Sequence, residues 1–174
     1  MQEETSHPLT QIGLGFLVAA TRRRVKQVVW ARLVPFGLTP QQFWVLLVLH
    51  RKGPQSLHPL AQEVWMDDPT ASRVVKTLCD RGLIRSDPDP AHGRRILIRP
   101  TLEGTKVTRQ LEAIATEIRE RLVGGLSEEE QAIVRRGLAQ MIVNMDALAE
   151  EGPRLRRPAH PKGTAQGRAK VSNL

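Results

Sequence analysis

The sequence predicts a mainly α-helical fold that carries one small β-hairpin. Apolar residues recur at steps of three and four over several long segments, and capping residues separate these segments. Two short runs, residues 83–85 and 96–98, are typical of strands and flank a turn-rich tip. With 174 residues, of which 40% are hydrophobic and 25% charged, the chain has the composition of one globular domain that can bury a core.

The first two predicted helices are bounded by proline and glycine. The first spans 9–33, with four basic residues on its polar side, and Pro35-Phe36-Gly37 ends it. Thr39 is expected to cap the second helix, because Pro40 then takes the first helical position, where no N–H is needed. This second helix is expected to end at Gly53-Pro54.

Two shorter helices follow. Ser56 is expected to cap the third helix through its side chain. Asp67-Asp68-Pro69 is a strong start signal for the fourth helix, which is expected to end at Gly82. The inner face of the fourth helix is predicted to consist of Ala71, Val74, Val75 and Leu78.

Two long helices come after the hairpin. Thr101 precedes a helix at 102–123, which Gly124-Gly125 ends. The motif Ser127-Glu128-Glu129-Glu130 has the form of a capping box with acidic residues in the first turn, and it starts a last helix at 128–149.

Two helices joined by a short turn and followed at once by a hairpin are the parts of a winged helix-turn-helix. The second helix of such a unit lies in the major groove of DNA and presents its first turns to the base edges, while the hairpin can push an arginine into the minor groove. The fourth helix fits this role, because its polar residues recur on the face opposite the apolar one. The residues expected to face DNA are Pro69, Thr70, Ser72, Arg73 and Lys76.

Several short motifs occur together in residues 38–104: Leu38-Thr39-Pro40-Gln41, Leu60-Ala61-Gln62, Thr70-Ala71-Ser72-Arg73, Arg81-Gly82-Leu83-Ile84, and Thr101 with Gly104. Together they resemble the MarR family of bacterial transcription regulators, and the long flanking helices extend the resemblance more loosely over 8–149. The resemblance implies a homodimer that binds a pseudo-palindromic operator in double-stranded DNA, usually as a repressor. Its affinity for DNA would be modulated by a small ligand or by oxidation.

The resemblance also implies a domain organisation. A single domain is expected over 8–150, with a winged helix-turn-helix lobe at about 38–101 and dimerisation helices at about 8–34 and 102–149. Residues 152–174 form a basic, proline- and glycine-rich tail that carries six of the basic residues and no acidic one. Most of the net charge of +8 therefore belongs to the tail, where it favours attraction to phosphates.

The wing departs from the family pattern. Members of the family usually have Asp-x-Arg at the tip, but this chain has His92 in the position of the aspartate and Arg94 on the minor-groove arginine. Asp87 and Asp89 are the nearest carboxylates and the candidates for orienting Arg94 instead. Arg95 would face away from the groove or towards a phosphate.

Other roles depend on the resemblance as well. It places Ser56 and His58 near a phosphate of the DNA. It also implies a ligand pocket between the long helices and the DNA-binding lobe, which Trp30, Phe43 and Leu47 could line. The alternative for these three residues is a place in the core or the dimer interface. For Arg73, the alternative is an ion pair with the acidic start of its own helix.

Several function classes are not supported. No apolar run approaches the 18 or so residues of a membrane span, and the acidic N-terminus is unlike a signal peptide. The single cysteine and the scattered histidines offer no disulfide framework or zinc site. Since no catalytic constellation stands out either, the expectation is a cytoplasmic protein that is not an enzyme and needs no cofactor or metal.

The alternative function is a winged-helix module for protein–protein contact, with the basic tail as a docking segment. A docking helix would expose aromatic or aliphatic anchors. The outward face of the fourth helix carries threonine, serine, arginine and lysine instead, and this favours DNA.

Overall fold

A computed structural model describes residues 8–90, 93 and 95–151. The described residues are mainly helical, with one antiparallel hairpin of two strands, as the sequence predicts. The elements are a 3₁₀ turn Pro8–Gln11, α1 Leu14–Leu33, a 3₁₀ turn Val34–Phe36, α2 Pro40–Lys52, α3 Leu57–Glu63, α4 Asp68–Asp80, β1 Ile84–Pro88, β2 Ile96–Pro100, α5 Leu102–Val123 and α6 Glu128–Glu150.

The start of α1 differs from the prediction. The helix begins at Leu14 rather than residue 9, because Gly13 is extended (φ −54°, ψ 136°) and separates α1 from the preceding 3₁₀ turn. Its buried residues are Val29 and Leu33. Phe16 and Val28, which belong to the apolar positions of this segment, are exposed.

The caps predicted at Thr39 and Ser127 are confirmed. Thr39 and Gln42 form a reciprocal capping box at the start of α2, in which each side chain accepts a hydrogen bond from the other's backbone N–H. Ser127 and Glu130 do the same for α6. Thr101 Oγ1 accepts a hydrogen bond from the N–H group of α5's third residue at 3.0 Å. Such bonds satisfy N–H groups that have no partner within the helix.

The hairpin is longer than predicted. Its register pairs Ile84 with Pro100 and Pro88 with Ile96, so each strand has five residues instead of three. Gln55, just before α3, forms an isolated antiparallel bridge to Ile98, with mutual backbone hydrogen bonds of 3.1 and 2.7 Å. This bridge ties the wing to the helix-turn-helix.

A close backbone contact joins the wing to α5. The N–H of Thr101 donates to the carbonyl of Leu83 at 3.1 Å, and its Oγ1 donates to the carbonyl of Gly82 at 2.7 Å. At Gly104 a Cβ atom would lie 1.8 Å from the carbonyl oxygen of Leu83. The crossing of α5 over the start of the wing therefore requires glycine at this position.

The hydrophobic core connects the helices α1 to α5 and the hairpin. Its largest completely buried side chains include Phe43, Leu46, Leu60, Leu78 and Leu111. Because the buried faces of α2, α3 and α4 all pack into this one core, the polar face of α4 is held outward.

The chain divides into two compact units after Gly125. The described part of the second unit is dominated by α6, which has no buried residue. Its exposed large apolar residues are Ile133, Val134, Leu138, Ile142, Val143, Met145 and Leu148.

In the described part of the chain, no single helix is long and apolar enough to cross a membrane. The segments Leu14–Phe36 and Pro40–Lys52 pass such a test only as a pair, with a bend of 81° between them.

Candidate nucleic-acid interface

Helix α4 is divided cleanly into a buried and an exposed face. Ala71, Val74, Val75 and Leu78 are buried, as predicted. Asp67 caps the helix, and its Oδ1 accepts a hydrogen bond from the N–H of Thr70 at 2.6 Å. Hydrogen bonding from Thr70 lowers the pKa of the Asp67 carboxyl below its ordinary value. The predicted DNA-facing residues Pro69, Ser72, Arg73 and Lys76 are exposed, and Thr70 is half-buried.

The two basic side chains of this face have partners on α4 itself. Arg73 Nη2 donates to Thr70 Oγ1 at 3.1 Å, and the described residues contain no ion pair between Arg73 and Asp67 or Asp68. Lys76 forms an exposed ion pair of 2.9 Å with Asp80, whose hydrogen bond raises the pKa of the lysine. Exposed contacts of this kind contribute little to stability, so both side chains can exchange them for a ligand at little cost.

Ser56 lies at the start of α3 but does not cap it through its side chain, contrary to the prediction. The residue has the extended backbone of an N-cap, yet its hydroxyl makes no capping hydrogen bond. Instead, Ser56 Oγ accepts a hydrogen bond from Arg95 Nη2 at 3.2 Å. This contact joins two predicted DNA-binding residues that are 39 positions apart in the chain.

His58 is held beside the start of α4. Its Nδ1 lies 3.2 and 3.1 Å from the two carboxylate oxygens of Asp68, and its Nε2 lies 3.1 Å from Gln62 Nε2. His58 and Asp68 remain exposed. The nearby carboxylate opposes a phosphate at this position, so His58 is placed less favourably for DNA than Arg73.

A groove of about 450 Å³ lies between α3, α4 and the hairpin. It brings three of the predicted residues, Ser56, His58 and Ser72, to one surface. The full lining is Ser56, Leu57, His58, Ser72, Val75, Ser86, Ile96 and Ile98.

The wing carries an ion-pair cluster along its two strands. The Asp87 carboxylate lies 3.2 Å from Arg85 Nε and 3.3 Å from Arg99 Nε, so it bridges the two strands. Asp89 is buried, and its N–H donates to the carbonyl of Arg95 at 2.7 Å. Asp87 thus pairs with arginines of the two strands. His92 and Arg94 lie outside the described residues, and their register stays a prediction.

The predicted ligand-pocket residues separate into two environments. Phe43 and Leu47 are completely buried in the core, which was their alternative role. Trp30 is exposed and lines a surface groove of about 560 Å³ between α1, α2 and the turn before α4. We call this site the tryptophan groove; its lining is Arg22, Val25, Lys26, Val29, Trp30, Thr39, Pro40, Gln41, Trp44, Val64, Trp65 and Met66.

Two residues of these surfaces were not identified from the sequence. Arg81, at the end of α4, donates to the carbonyls of Gly37 at 2.7 Å and Phe36 at 2.9 Å, and so ties α4 to the turn after α1. Trp65 lines the tryptophan groove. The sequence does contain a signal for Trp65: a tryptophan follows α3 directly, at a position where glycine is common after a helix. Arg81 stood in the sequence only as part of a family motif, and no local signal pointed to its partners, which are 44 and 45 residues away.

The described residues contain no group of three metal-ligating side chains placed to hold an ion. The outward face of α4 carries hydroxyl, guanidinium and ammonium groups. All three donate hydrogen bonds, and the guanidinium and ammonium groups also carry positive charge, which suits phosphates and base edges.

Comparison with known proteins identifies the fold. Residues 36–95 match the sequence profile of the MarR family. The chain is 30% identical over 105 residues to the HTH-type transcriptional repressor NicR of Pseudomonas putida, a stretch that spans 60% of this chain and 66% of NicR.

Two solved structures are similar over most of their length. A probable transcriptional regulator from Pseudomonas aeruginosa shares 32% identity at a TM-score of 0.64, with 76% of this chain and 98% of that one covered. The second is BpsR of Bordetella bronchiseptica, whose DNA binding is regulated by 6-hydroxynicotinic acid. It shares 26% identity at a TM-score of 0.64, and the match covers 74% of this chain and 97% of BpsR. Since the P. aeruginosa regulator is matched over almost its whole length and the profile spans the helix-turn-helix and most of the wing, the chain belongs to the MarR family of transcription regulators.

Proposed function

We propose that the protein is a homodimeric repressor that binds a pseudo-palindromic operator through α4 and the wing. The observation that carries this proposal is the division of α4. Its apolar face is locked in the core, and its outward face offers Thr70, Ser72, Arg73 and Lys76 beside a hairpin. A B-form major groove about 12 Å wide accepts a helix with such a face.

The residues of the site take different roles in this proposal. Arg73, near the start of α4, is the candidate for a bidentate contact with guanine, and Pro69, Thr70 and Ser72 lie close enough to the same end to meet base edges. Lys76 and Arg95 contact phosphates through their positive charge. Ser56 and His58 lie near a phosphate as well. Arg94 is assigned to the minor groove by its sequence register alone.

The homodimer is supported by the surface of α6. Val134, Leu138, Met141, Met145 and Leu148 recur at alternating steps of four and three, the spacing by which two helices pack along a seam. Four of these five side chains are exposed, and Met141 is half-buried. An apolar stripe of this length is typical of a surface that a partner covers. In a two-fold dimer the recognition helices would enter successive major grooves about 34 Å apart.

A small effector is the second part of the proposal, and the tryptophan groove is its candidate site. The groove exposes indole rings beside Arg22 and Lys26. Flat aromatic rings favour a planar aromatic guest, and the two cations favour a negative charge on it. The relative BpsR is regulated by 6-hydroxynicotinic acid, which has this chemistry. Binding of such a guest would lower operator affinity and relieve repression. A regulator acts where the DNA is, so the proposal includes a cytoplasmic location.

Selection of bound sequences from a random duplex pool, at a stated salt concentration, tests the first part. We expect enrichment of two inverted half-sites whose centres are about 10 base pairs apart. Recovery of the starting pool without enrichment would contradict sequence-specific binding. It would favour the protein-docking alternative, although the outward face of α4 offers no aromatic anchor for it.

A further inference from the structure

The turn between α3 and α4 holds a tryptophan in a backbone conformation that suits glycine. Trp65 has φ of 55° and is the only non-glycine residue with positive φ in the described part of the chain. Its N–H donates to the carbonyl of Gln62 at 3.2 Å, and the N–H of Met66 donates to the carbonyl of Ala61 at 2.9 Å. This pattern ends a helix, and the left-handed residue in it is commonly glycine because a Cβ atom is strained there.

Burial does not compensate for the strain at Trp65. The side chain is 77% exposed, the largest exposure of the three tryptophans. A large aromatic side chain gains most when it leaves water, so the residue combines an unfavourable backbone with an unfavourable surface. Strained residues of this kind cluster at ligand clamps and switch regions.

All three tryptophans of the chain line the tryptophan groove. Trp30 stands on α1 and Trp44 on α2. The centroids of the Trp44 and Phe43 rings lie 4.9 Å apart in an edge-to-face arrangement, and Phe43 is buried. The rings of Trp30 and Trp44 are therefore fixed to helices of the core. Trp65 stands on a turn, and it is the wall of the groove that a small backbone change can move.

The turn leads directly into α4. Two residues after Trp65, Asp67 caps α4 by accepting the N–H of Thr70 at 2.6 Å. Thr70 in turn accepts a hydrogen bond from Arg73. A displacement at Trp65 would therefore move the Asp67 cap and, through it, the first turn of α4.

We propose that Trp65 is the specificity-determining wall of the effector site and the residue through which occupancy of the groove alters α4. Its indole stacks on a planar aromatic anion opposite the fixed rings, and the accompanying shift of the turn displaces Asp67 and the residues that it caps. The inference rests on the effector function proposed above.

The test compares the wild-type protein with Trp65→Gly and Trp65→Phe. Glycine suits the turn but removes the ring, whereas phenylalanine keeps a ring at the same strained position. The probes are 6-hydroxynicotinic acid, nicotinate and benzoate, with binding followed by calorimetry and release of the selected duplex followed by fluorescence anisotropy. Without a probe, all three proteins should bind the duplex equally.

With a probe, the wild-type protein should release the duplex. Trp65→Gly should bind the probe about tenfold more weakly, the amount that one aromatic stacking contact contributes, and should keep the duplex even when probe is raised to full occupancy. Trp65→Phe should recover part of both responses.

Three results would overturn the inference. If Trp65→Gly binds the probe and releases the duplex as the wild-type protein does, Trp65 takes no part in the response. Loss of duplex binding by Trp65→Gly without any probe would reduce Trp65 to a structural residue. If the wild-type protein binds the duplex but none of the probes, the effector function itself fails while DNA binding stands, and the role of Trp65 fails with it.

Discussion

Arg95 donates a hydrogen bond from Nη2 to Ser56 Oγ at 3.2 Å and thereby connects the wing to the start of α3. Ser56 lines the same groove as Ser72 of α4, and the hydrogen bond brings Arg95 to Ser56. The contact holds the guanidinium of Arg95 beside the start of α3. A positive charge in this place suits the DNA backbone better than a base edge.

Replacement of Arg95 by alanine should weaken binding to the selected operator and to random duplex alike. The slope of log affinity against log salt concentration should also become smaller by about one phosphate contact, because this slope counts the counterions that are released on binding. Affinities measured across a salt series check this. Ser56→Ala keeps the charge and should leave the slope unchanged. A loss confined to the selected operator would mean that Arg95 reads bases.

Arg73→Ala should behave differently. We expect a loss of about 1–3 kcal/mol per half-site on the selected operator and a much smaller loss on random duplex, since a bidentate arginine discriminates between bases. Titrations of both duplexes at one salt concentration measure the difference. Lys76→Ala, on the same face of α4, is the control for simple loss of charge. Equal weakening of both duplexes by Arg73→Ala would assign Arg73 to a phosphate.

The cap of α4 should make the stability of the protein depend on pH. Hydrogen bonding from Thr70 lowers the pKa of Asp67 from 3.8, so the stabilisation is complete above that value and is lost as the pH falls through the lower folded-state pKa. Asp67→Asn keeps a good capping side chain but cannot titrate. In urea unfolding at a series of pH values, wild-type protein should lose stability relative to Asp67→Asn on acidification below 3.8. A constant difference between the two proteins over this range would contradict the assignment.

A charge in the apolar stripe of α6 should break the dimer. Leu138→Glu places a carboxylate in a seam that excludes water, and burying an unpaired charge is strongly unfavourable. Mass measurement at micromolar concentration should then give the 19.5 kDa monomer, while the wild-type protein should give twice that mass. Gln140→Glu, on the opposite side of α6, is the matched control and should stay dimeric. A wild-type protein that is itself monomeric would remove the basis of the two-fold operator.

The sequence predicted those features that depend on a few neighbouring residues. The cap at Thr39 and the capping box at Ser127 each lie within a window of four residues. The inner face of α4 follows from one helical period. Ser56 shows the limit of this approach, because its preference for capping gave way to a partner 39 positions away.

The same limit applies to the groove. Trp30, Trp44 and Trp65 stand on three different elements, and no spacing in the sequence shows that they meet. Periodicity also could not separate Phe43 and Leu47, which are core residues, from a pocket lining. In α1, the apolar pattern continued across Gly13, but the extended backbone of Gly13 makes the helix begin only at Leu14.

The contact between Gly104 and Leu83 also constrains how the protein can evolve. Any side chain at position 104 would collide with a backbone carbonyl, and backbone cannot move aside as a flexible side chain can. Position 104 is therefore closed to substitution unless the crossing of α5 over the wing changes as well. A library of random variants that is screened for function should retain glycine there, although the residue touches no DNA, ligand or partner in any proposal made above.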